Sequence, residues 1–539
     1  MACNIISIGS LPHNPQIAES LTRDRHSLSS LIMPTSDKVA PQLLELKTRL
    51  TEINDIESAA ALLSWDQATY MPPGGAPARG RQLATLNQIA HTKLTDGYLG
   101  ELLENLHPYE TQLPPEHPDA SLIRVTRRNY QRAVQIPARL MAVFSHHRAN
   151  SYVAWAAARA NHDFAGVQPY LEKTLELSRD LAACFPDHAH LADPLIDAAD
   201  PGMTVTTVRS LFSQLRQRLV PWVEAIAAQP LADTGCLHQS YPVDQQLAFS
   251  HKVLSHLGYD LHRGRQDQTL HPFMTKFSLG DVRITTRVQS HNLSEALFST
   301  IHEMGHALYE QGITADFEGT PLAEGASSGV HESQSRLWEN LVGRSRPFWE
   351  FFYPQLQTIF PQQLGAVSLE TFYRAINQVR RSLIRTDADE VTYNLHVMIR
   401  FDLEVALLEG SLAVSDLPAA WNERYRTDLG LVPETDQEGI LQDVHWYCGT
   451  IGGMFQGYTL GNLMSAQFFE ALLTAHPEVP AQMQQGDFQP IREWLRLQIH
   501  QHGCTYRPLE LVEHVTGTSL SIEPFLRYLQ QKYGELYAI

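Results

Sequence analysis

His302, Glu303 and His306 stand in the run SHNLSEALFSTIHEMGHALYEQG, an H-E-x-x-H pattern. At 3.6 residues per turn the two imidazoles fall one turn apart on one helical face, so both can reach a single divalent ion. The carboxylate of Glu303 lies beside them, close enough to take a proton from a metal-bound water. The plainer alternative is two histidines, solvated or buried, on an ordinary helix, and five residues do not decide between the two. The flanking sequence favours the helix. Asn292 with Glu295 three residues later reads as an N-cap and capping box, Gly312 as the stop, and Leu297, Ile301, Met304 and Leu308 as a buried stripe. The spacing predicts a helix over about 293–311.

Two imidazoles need a third ligand, and its type sets the class of site. A third His six residues after the second, with a Gly three after it, would be one solution. Those positions hold Gly312 and Tyr309, so it fails. A carboxylate from a following element is the other, with Glu318, Glu324 and Glu332 as candidates. The first two lie in the Gly-rich stretch FEGTPLAEGASSG, which reads as loop. Glu332 begins HESQSRLWENLVG, a helical run that can hold a ligand rigidly. Two His plus one Glu around Zn2+ leave a fourth position for water, as a catalytic zinc requires.

The elements around this motif are helical almost throughout. QLLELKTRLTEINDIESAAALL spaces Leu43, Leu46, Leu50 and Ile53 by three and four, and further amphipathic stretches cover 121–161, 165–184, 206–227, 243–257, 367–384, 391–412, 460–474 and 510–532. One segment departs. In FSLGDVRITTRVQ, Val282, Ile284 and Thr286 alternate with Asp281, Arg283 and Thr285, which predicts a strand or hairpin just before the metal helix. The fold class is mainly α, a large helical domain over 37–539 with a small β element. Residues 1–36 are polar, Ser-rich and aperiodic, and predict a disordered tail.

Composition narrows the function classes. Lys+Arg of 41 against Asp+Glu of 59 gives a formal charge of −18, a poor surface for nucleic acid or anionic membrane. No apolar run approaches the ~18 residues of a membrane helix, and the N-terminus lacks the pattern of a secretory signal. Five scattered cysteines without a C-x-x-C pair argue against a disulfide scaffold or a thiolate metal site, and for a reducing compartment such as the cytoplasm.

HEMGH followed by HESQ, with 25 residues between His306 and Glu332, resembles the carboxypeptidase Taq family of metallocarboxypeptidases. Further blocks match in order: LLSWDQATYMPPGGAPARGRQ (62–82), DPGMT (200–204), HPF (271–273), DVRITTR (281–287), IRTDADEVTYNLH (384–396), GILQDVHW (439–446) and YTLGN (458–462). The resemblance implies a helical, saddle-like subunit with a deep groove, usually paired as a homodimer. It also implies removal of single residues from peptide C-termini, with broad specificity and little liking for C-terminal Pro. Zinc is the usual metal in such enzymes, and Co2+ often substitutes. A zinc oligopeptidase cutting internally in short peptides is the alternative reading.

The resemblance also points to residues beyond the ligands. Tyr458 or His445 would steady the oxyanion, and nothing in the sequence chooses between them. Arg385, at the family's I/V-R-x-x-A-D position, would clamp the substrate carboxylate through its planar fork, although Asp387, Asp389 and Glu390 offer a structural ion pair instead. His271, Asp281 and Arg283 would shape the groove wall. Gln442 and Asp443 would orient His445; Gln334 and Arg336 would brace Glu332; His331 would point elsewhere; Trp65, Asp66 and Gln67 would serve packing. One departure stands out: the family's G-Y-F-P-x-Y stretch is replaced by CGTIGGMFQGY, with Gln456 near the expected Pro and one extra residue.

Overall fold

The computed structural model describes residues 36–539. The tail expected over 1–36 lies outside them but for Ser36, which opens a helix running Ser36–Thr69. Helices dominate, and their breaks follow local chemistry. The stretch 121–161 divides into Pro118–Gln135 and Ala138–Asn161. Pro137 lacks an N–H and drives Ile136 out of the α region, to φ −87° and ψ 116°. The stretch 367–384 is helical only over Leu369–Ile376. There the Asn377 side chain donates to the carbonyls of Tyr373 and Arg344 at 3.0 and 3.1 Å, taking the acceptor that the next helical amide would use. Likewise 510–532 splits at Gly517 into Pro508–Thr516 and Glu523–Tyr537.

The expected strand is present, within a three-stranded sheet of order β1-β3-β2: β1 (Gln266–Gln268), β2 (Met274–Ser278) and β3 (Asp281–Thr286). β3 pairs antiparallel with β2, Thr275 opposite Arg283, and parallel with β1, Asp267 opposite Thr285. Val282 and Ile284 are buried, as the alternation requires, but Thr285 is buried too. It is satisfied there by the backbone of Phe273 and the hydroxyl of Thr269. The sheet is fastened to the histidine helix by Thr300, whose hydroxyl meets those of Thr286 (3.0 Å) and the Gln266 amide (3.0 Å).

Most apolar side chains form one large core around the histidine helix. A smaller core joins Leu46 and Leu50 of the first helix, Leu102 and Leu106, to Leu279 and Phe317 beside the sheet. Through the centre runs a stack of three helices: Leu293–Gly312, Ser328–Arg336 and Gln456–Ala475. They approach so closely that glycine is required at each crossing. A Cβ at Gly305 would meet the Gln334 carbonyl at 2.6 Å, and one at Gly461 would meet Glu332 Cβ at 2.6 Å. No helix among the described residues is long and apolar enough to cross a membrane.

Candidate metal centre

The histidine helix spans Leu293–Gly312, with Asn292 accepting from the Glu295 amide at 3.3 Å. The capping box is only half formed, because the Glu295 side chain pairs instead with Arg287 at 3.2 Å. Gly312 is the last helical residue and keeps a helical conformation. Its missing side chain makes room for His500, whose Cβ would lie 2.6 Å from an added Cβ. The glutamate helix, Ser328–Arg336, is capped by Ser327 accepting from the Val330 amide at 3.1 Å. It continues as a π-helical turn over Leu337–Val342.

These elements bring one ligand atom each from His302, His306 and Glu332 to within 4.8 Å of one another. Glu332 Oε2 lies 3.7 Å from His302 Nε2 and 3.6 Å from His306 Nε2. A tetrahedral site with ~2.0–2.1 Å bonds puts neighbouring ligand atoms roughly 3.3–3.5 Å apart, so the three residues fit a small divalent cation with little movement. Glu318 and Glu324 are engaged elsewhere, Glu318 accepting from the Leu279 amide at 2.9 Å and Glu324 pairing with Lys276 at 2.9 Å.

The outer nitrogens set which tautomer each ligand adopts. His302 Nδ1 lies 2.9 Å from Glu339 Oε2; the carboxylate can only accept, so Nδ1 donates and Nε2 keeps its lone pair for the ion. His306 Nδ1 lies 2.6 Å from His331 Nδ1, and His331 Nε2 lies 2.8 Å from Glu310 Oε1. The carboxylate takes the proton of His331 Nε2, His331 Nδ1 accepts from His306 Nδ1, and His306 Nε2 is again left free. Both ring nitrogens of His331 are thus engaged, and it does not point elsewhere as the sequence suggested. It links His306 to Glu310. Arg336 braces Glu332, Nε to Oε1 at 2.7 Å, with the Ser335 hydroxyl on Oε2 at 3.2 Å. Gln334 does not share that task; it meets His500 Nε2 at 2.9 Å.

Burial works against every charge here, and the neighbours decide the outcome. It would raise the Glu332 carboxyl, but Arg336 and His302 hold it well below the usual range. Burial pushes His306 down to about 4, while for His302 Glu332 and Glu339 outweigh burial and the pKa is raised. Glu303 is 8% exposed and makes no hydrogen bond or ion pair among the described residues. Burial, only partly offset by His302 and reinforced by Glu332 and Glu339, pushes its carboxyl up to about 7.

Beside the centre lies a second charged group. Arg385, 7% exposed, donates through Nη2 to Asp443 (2.7 Å) and through Nη1 to the Tyr393 hydroxyl (3.0 Å). Asp443 also binds Arg400, so two guanidiniums share one carboxylate. The partners foreseen at Asp387, Asp389 and Glu390 are not used by Arg385. Instead Asp389 caps the turn at Thr392, and Glu390 binds Lys532 at 2.8 Å. His445 Nε2 lies 3.4 Å from the Tyr458 hydroxyl, and its Nδ1 is 3.6 Å from Asp443, an ion-pair separation rather than a hydrogen bond. Gln442 does not touch His445; it accepts from the Arg385 amide at 2.9 Å. The Arg385 guanidinium sits 5.4 Å from the Tyr458 ring centre, so Arg385, His445 and Tyr458 form one patch.

His271 is exposed, with its pKa lowered first by desolvation and then by His445 and Arg385. Arg283 pairs with Asp281 at 2.8 Å and stacks 4.4 Å over Trp65, which is buried. Gln456 is fully buried, its amide donating to Asp200 at 3.1 Å, and Asp200 in turn accepts from the Gly329 amide at 2.7 Å. The departure at Gln456 therefore joins the third helix of the stack to the start of the glutamate helix. Sequence reading missed Glu339, Glu310 and Lys276. Glu339 alone left a trace, seven residues beyond Glu332 on the same run.

Residues 45–533 match the model of the carboxypeptidase Taq (M32) metallopeptidase family. The chain is 43% identical over 492 residues to thermostable carboxypeptidase 1 of Thermus thermophilus, covering 89% of this chain and 96% of that relative. It is 36% identical to carboxypeptidase 1 of Bacillus subtilis, covering 91% and 97%. Its fold is similar to the crystal structure of an M32 carboxypeptidase from Deinococcus radiodurans, with a TM-score of 0.90 and 48% identity over 93% of this chain and all of that one.

Proposed function

The chain belongs to the carboxypeptidase Taq (M32) metallopeptidase family and is a metal-dependent peptide hydrolase, and on that premise we propose that it releases single amino acids from peptide C-termini through a zinc ion held by His302, His306 and Glu332. The observation that carries the reading is the convergence of those three side chains at near-tetrahedral spacing. When bound, the cation supplies Lewis-acid polarisation of the scissile carbonyl and a lowered pKa for water, a role that Co2+ also fills.

The remaining steps belong to this chain. Glu303, buried beside the ligands and without a hydrogen bond or ion pair among the described residues, is placed to take a proton and return it to the leaving amine. Tyr458 and His445, within 3.4 Å of each other, serve as donors to the oxyanion as one unit. Arg385 binds the substrate's terminal carboxylate. Asp443 and Tyr393 use three of its five N–H directions and aim the guanidinium, and the doubled positive charge over one aspartate supports an anionic ligand there. His271 lines the approach to that patch. Specificity is broad, and the enzyme works as a cytoplasmic homodimer on peptides.

A blocked dipeptide and a longer peptide, each with a free or amidated C-terminus, test this. Hydrolysis of the free forms only, stopped by chelation and restored by zinc or cobalt, is the expected result. Internal cleavage of the amidated peptide would instead favour the oligopeptidase reading.

A further inference from the structure

A cavity of about 250 Å³ lies between the helix Pro118–Gln135, the segment around Thr505 and Ala326. Four arginines line it. Arg124, Arg127 and Arg128 share one helical face through their i, i+3 and i+4 spacing, and Arg507 faces them from across. In a chain of formal charge −18, such a concentration of guanidinium is not the average surface.

Their hydrogen bonding is uneven. Arg127 is neutralised by Glu110 at 2.5 Å. Arg124 is spent on neutral oxygens, the Pro115 carbonyl at 2.7 Å and the Thr505 carbonyl at 2.5 Å, and no carboxylate balances it. Arg128 makes neither a hydrogen bond nor an ion pair among the described residues, and Arg507 makes no ion pair among them. Asp197, the nearby acid, is held by Arg132 at 3.5 Å and by the Gly202 amide at 2.8 Å. Three cations therefore converge on one concavity without a matching anion among the described residues. Desolvation lowers the Arg128 pKa, with Arg507 and Arg124 acting in the same direction against Cys504 and Asp197.

We propose that this cavity is an anion site that takes a compact oxyanion, a phosphate or carboxylate group, between Arg128 and Arg507. Arg124, fixed by its two carbonyls, supplies the field at the back of the cavity. The planar forks suit a bidentate oxyanion, and the concave wall limits its size. The site is connected to the metal centre through two intervening side chains. Ala326, on its wall, donates its amide to the Tyr309 hydroxyl at 3.0 Å, and Tyr309 packs 5.2 Å from the His331 ring that carries His306. The anion comes either from solution or from an acidic side chain of the peptide; the second source rests on the peptidase reading, the first does not.

Inorganic phosphate titrated into the metal-loaded full chain, against chloride at equal ionic strength, is the first arm, read by calorimetry and by Tm. One saturable site is expected, weakened roughly tenfold or more in Arg128→Gln and in Arg507→Gln. Arg507 is exposed, so its variant guards against misfolding of the other. Phosphate binding that is unchanged in both variants belongs at the metal and does not support the cavity. The second arm compares KM for peptides differing only by Glu against Gln upstream of the cleaved bond. A preference for Glu that shrinks in the variants assigns the anion to the substrate; an unaltered ratio with variant-sensitive phosphate binding assigns it to solution. Absence of both variant effects overturns the proposal, whereas absence of any turnover would strike the peptidase reading alone and leave the phosphate arm standing.

Discussion

His302 and His306 are the same residue type, one turn apart on one helix, yet their surroundings differ. His302 leans directly on a carboxylate, Glu339, which is itself held by Arg336 at 3.1 Å and Arg344 at 3.4 Å. His306 leans on a second imidazole, His331, and the carboxylate behind it, Glu310, is one ring farther away and tied to Lys276 at 2.8 Å. The consequence is opposite titration: His302 is raised, whereas burial pushes His306 down to about 4. Glu332 lies about equally near both rings, so what separates the two is the outer partner, the Glu339 carboxylate behind His302 and a second imidazole behind His306. One arm supplies negative charge against the ligand. The other reaches the ligand only through a second imidazole; both carboxylates are offset by cations, Glu339 by two arginines and Glu310 by lysine.

The largest effect should come from removing either ligand. His302→Ala and His306→Ala are each expected to lose bound metal, by elemental analysis, and with it all measurable turnover. A variant that kept full metal occupancy would remove that histidine from the site. Next comes Glu303→Gln, which leaves both arms in place. Turnover should fall roughly 10²–10⁴-fold while metal content stays at the wild-type level. Loss of metal in that variant would mean that Glu303 serves the ion.

The comparison itself is tested by Glu339→Gln against His331→Gln. Both should weaken metal affinity in a competitive chelator titration, within the roughly 10–100-fold range typical of such outer partners, and Glu339→Gln should be the more damaging. Equal losses would mean that direct charge adds nothing beyond orientation. The smallest effect concerns a buried acid lacking a lysine like the one Glu310 has. Glu404 accepts from Trp446 Nε1 at 2.8 Å, and desolvation pushes its carboxyl up to about 8. Its folded pKa exceeds its unfolded one, so the folded state holds the extra proton. The contribution is full below about pH 4.5 and is lost as pH rises towards 8. Glu404→Gln should therefore gain stability relative to the parent as pH is raised from 5 to 8, by roughly 1–3 kcal/mol, followed by Tm across that range. A pH-independent difference would place no buried proton on Glu404.

Much of the site is legible in the sequence. H-E-x-x-H specifies its own geometry, because helical periodicity converts spacing into facing, and Glu332 stood out as a carboxylate on a following helical run. The strand at Asp281–Thr286 was readable for the same reason, from period two and β-branched residues. The misses share a cause. Glu310, Lys276, Arg400 and Tyr393 are ordinary charged or polar letters until packing places them, and Arg385 met Asp443, 58 residues away, rather than its acidic neighbours.

What the sequence determined alone was the set of local elements: the helical stretches, the strand, and which two imidazoles share a face. Only the tertiary structure decided which carboxylate or ring stands behind each imidazole, which aspartate holds Arg385, and that three arginines without carboxylate partners among the described residues border one cavity. Local geometry follows from backbone dihedrals that repeat with sequence spacing. The partner of a buried charge is set by which distant segments the core presses together, and the cost of leaving that charge unpaired makes the pairing matter.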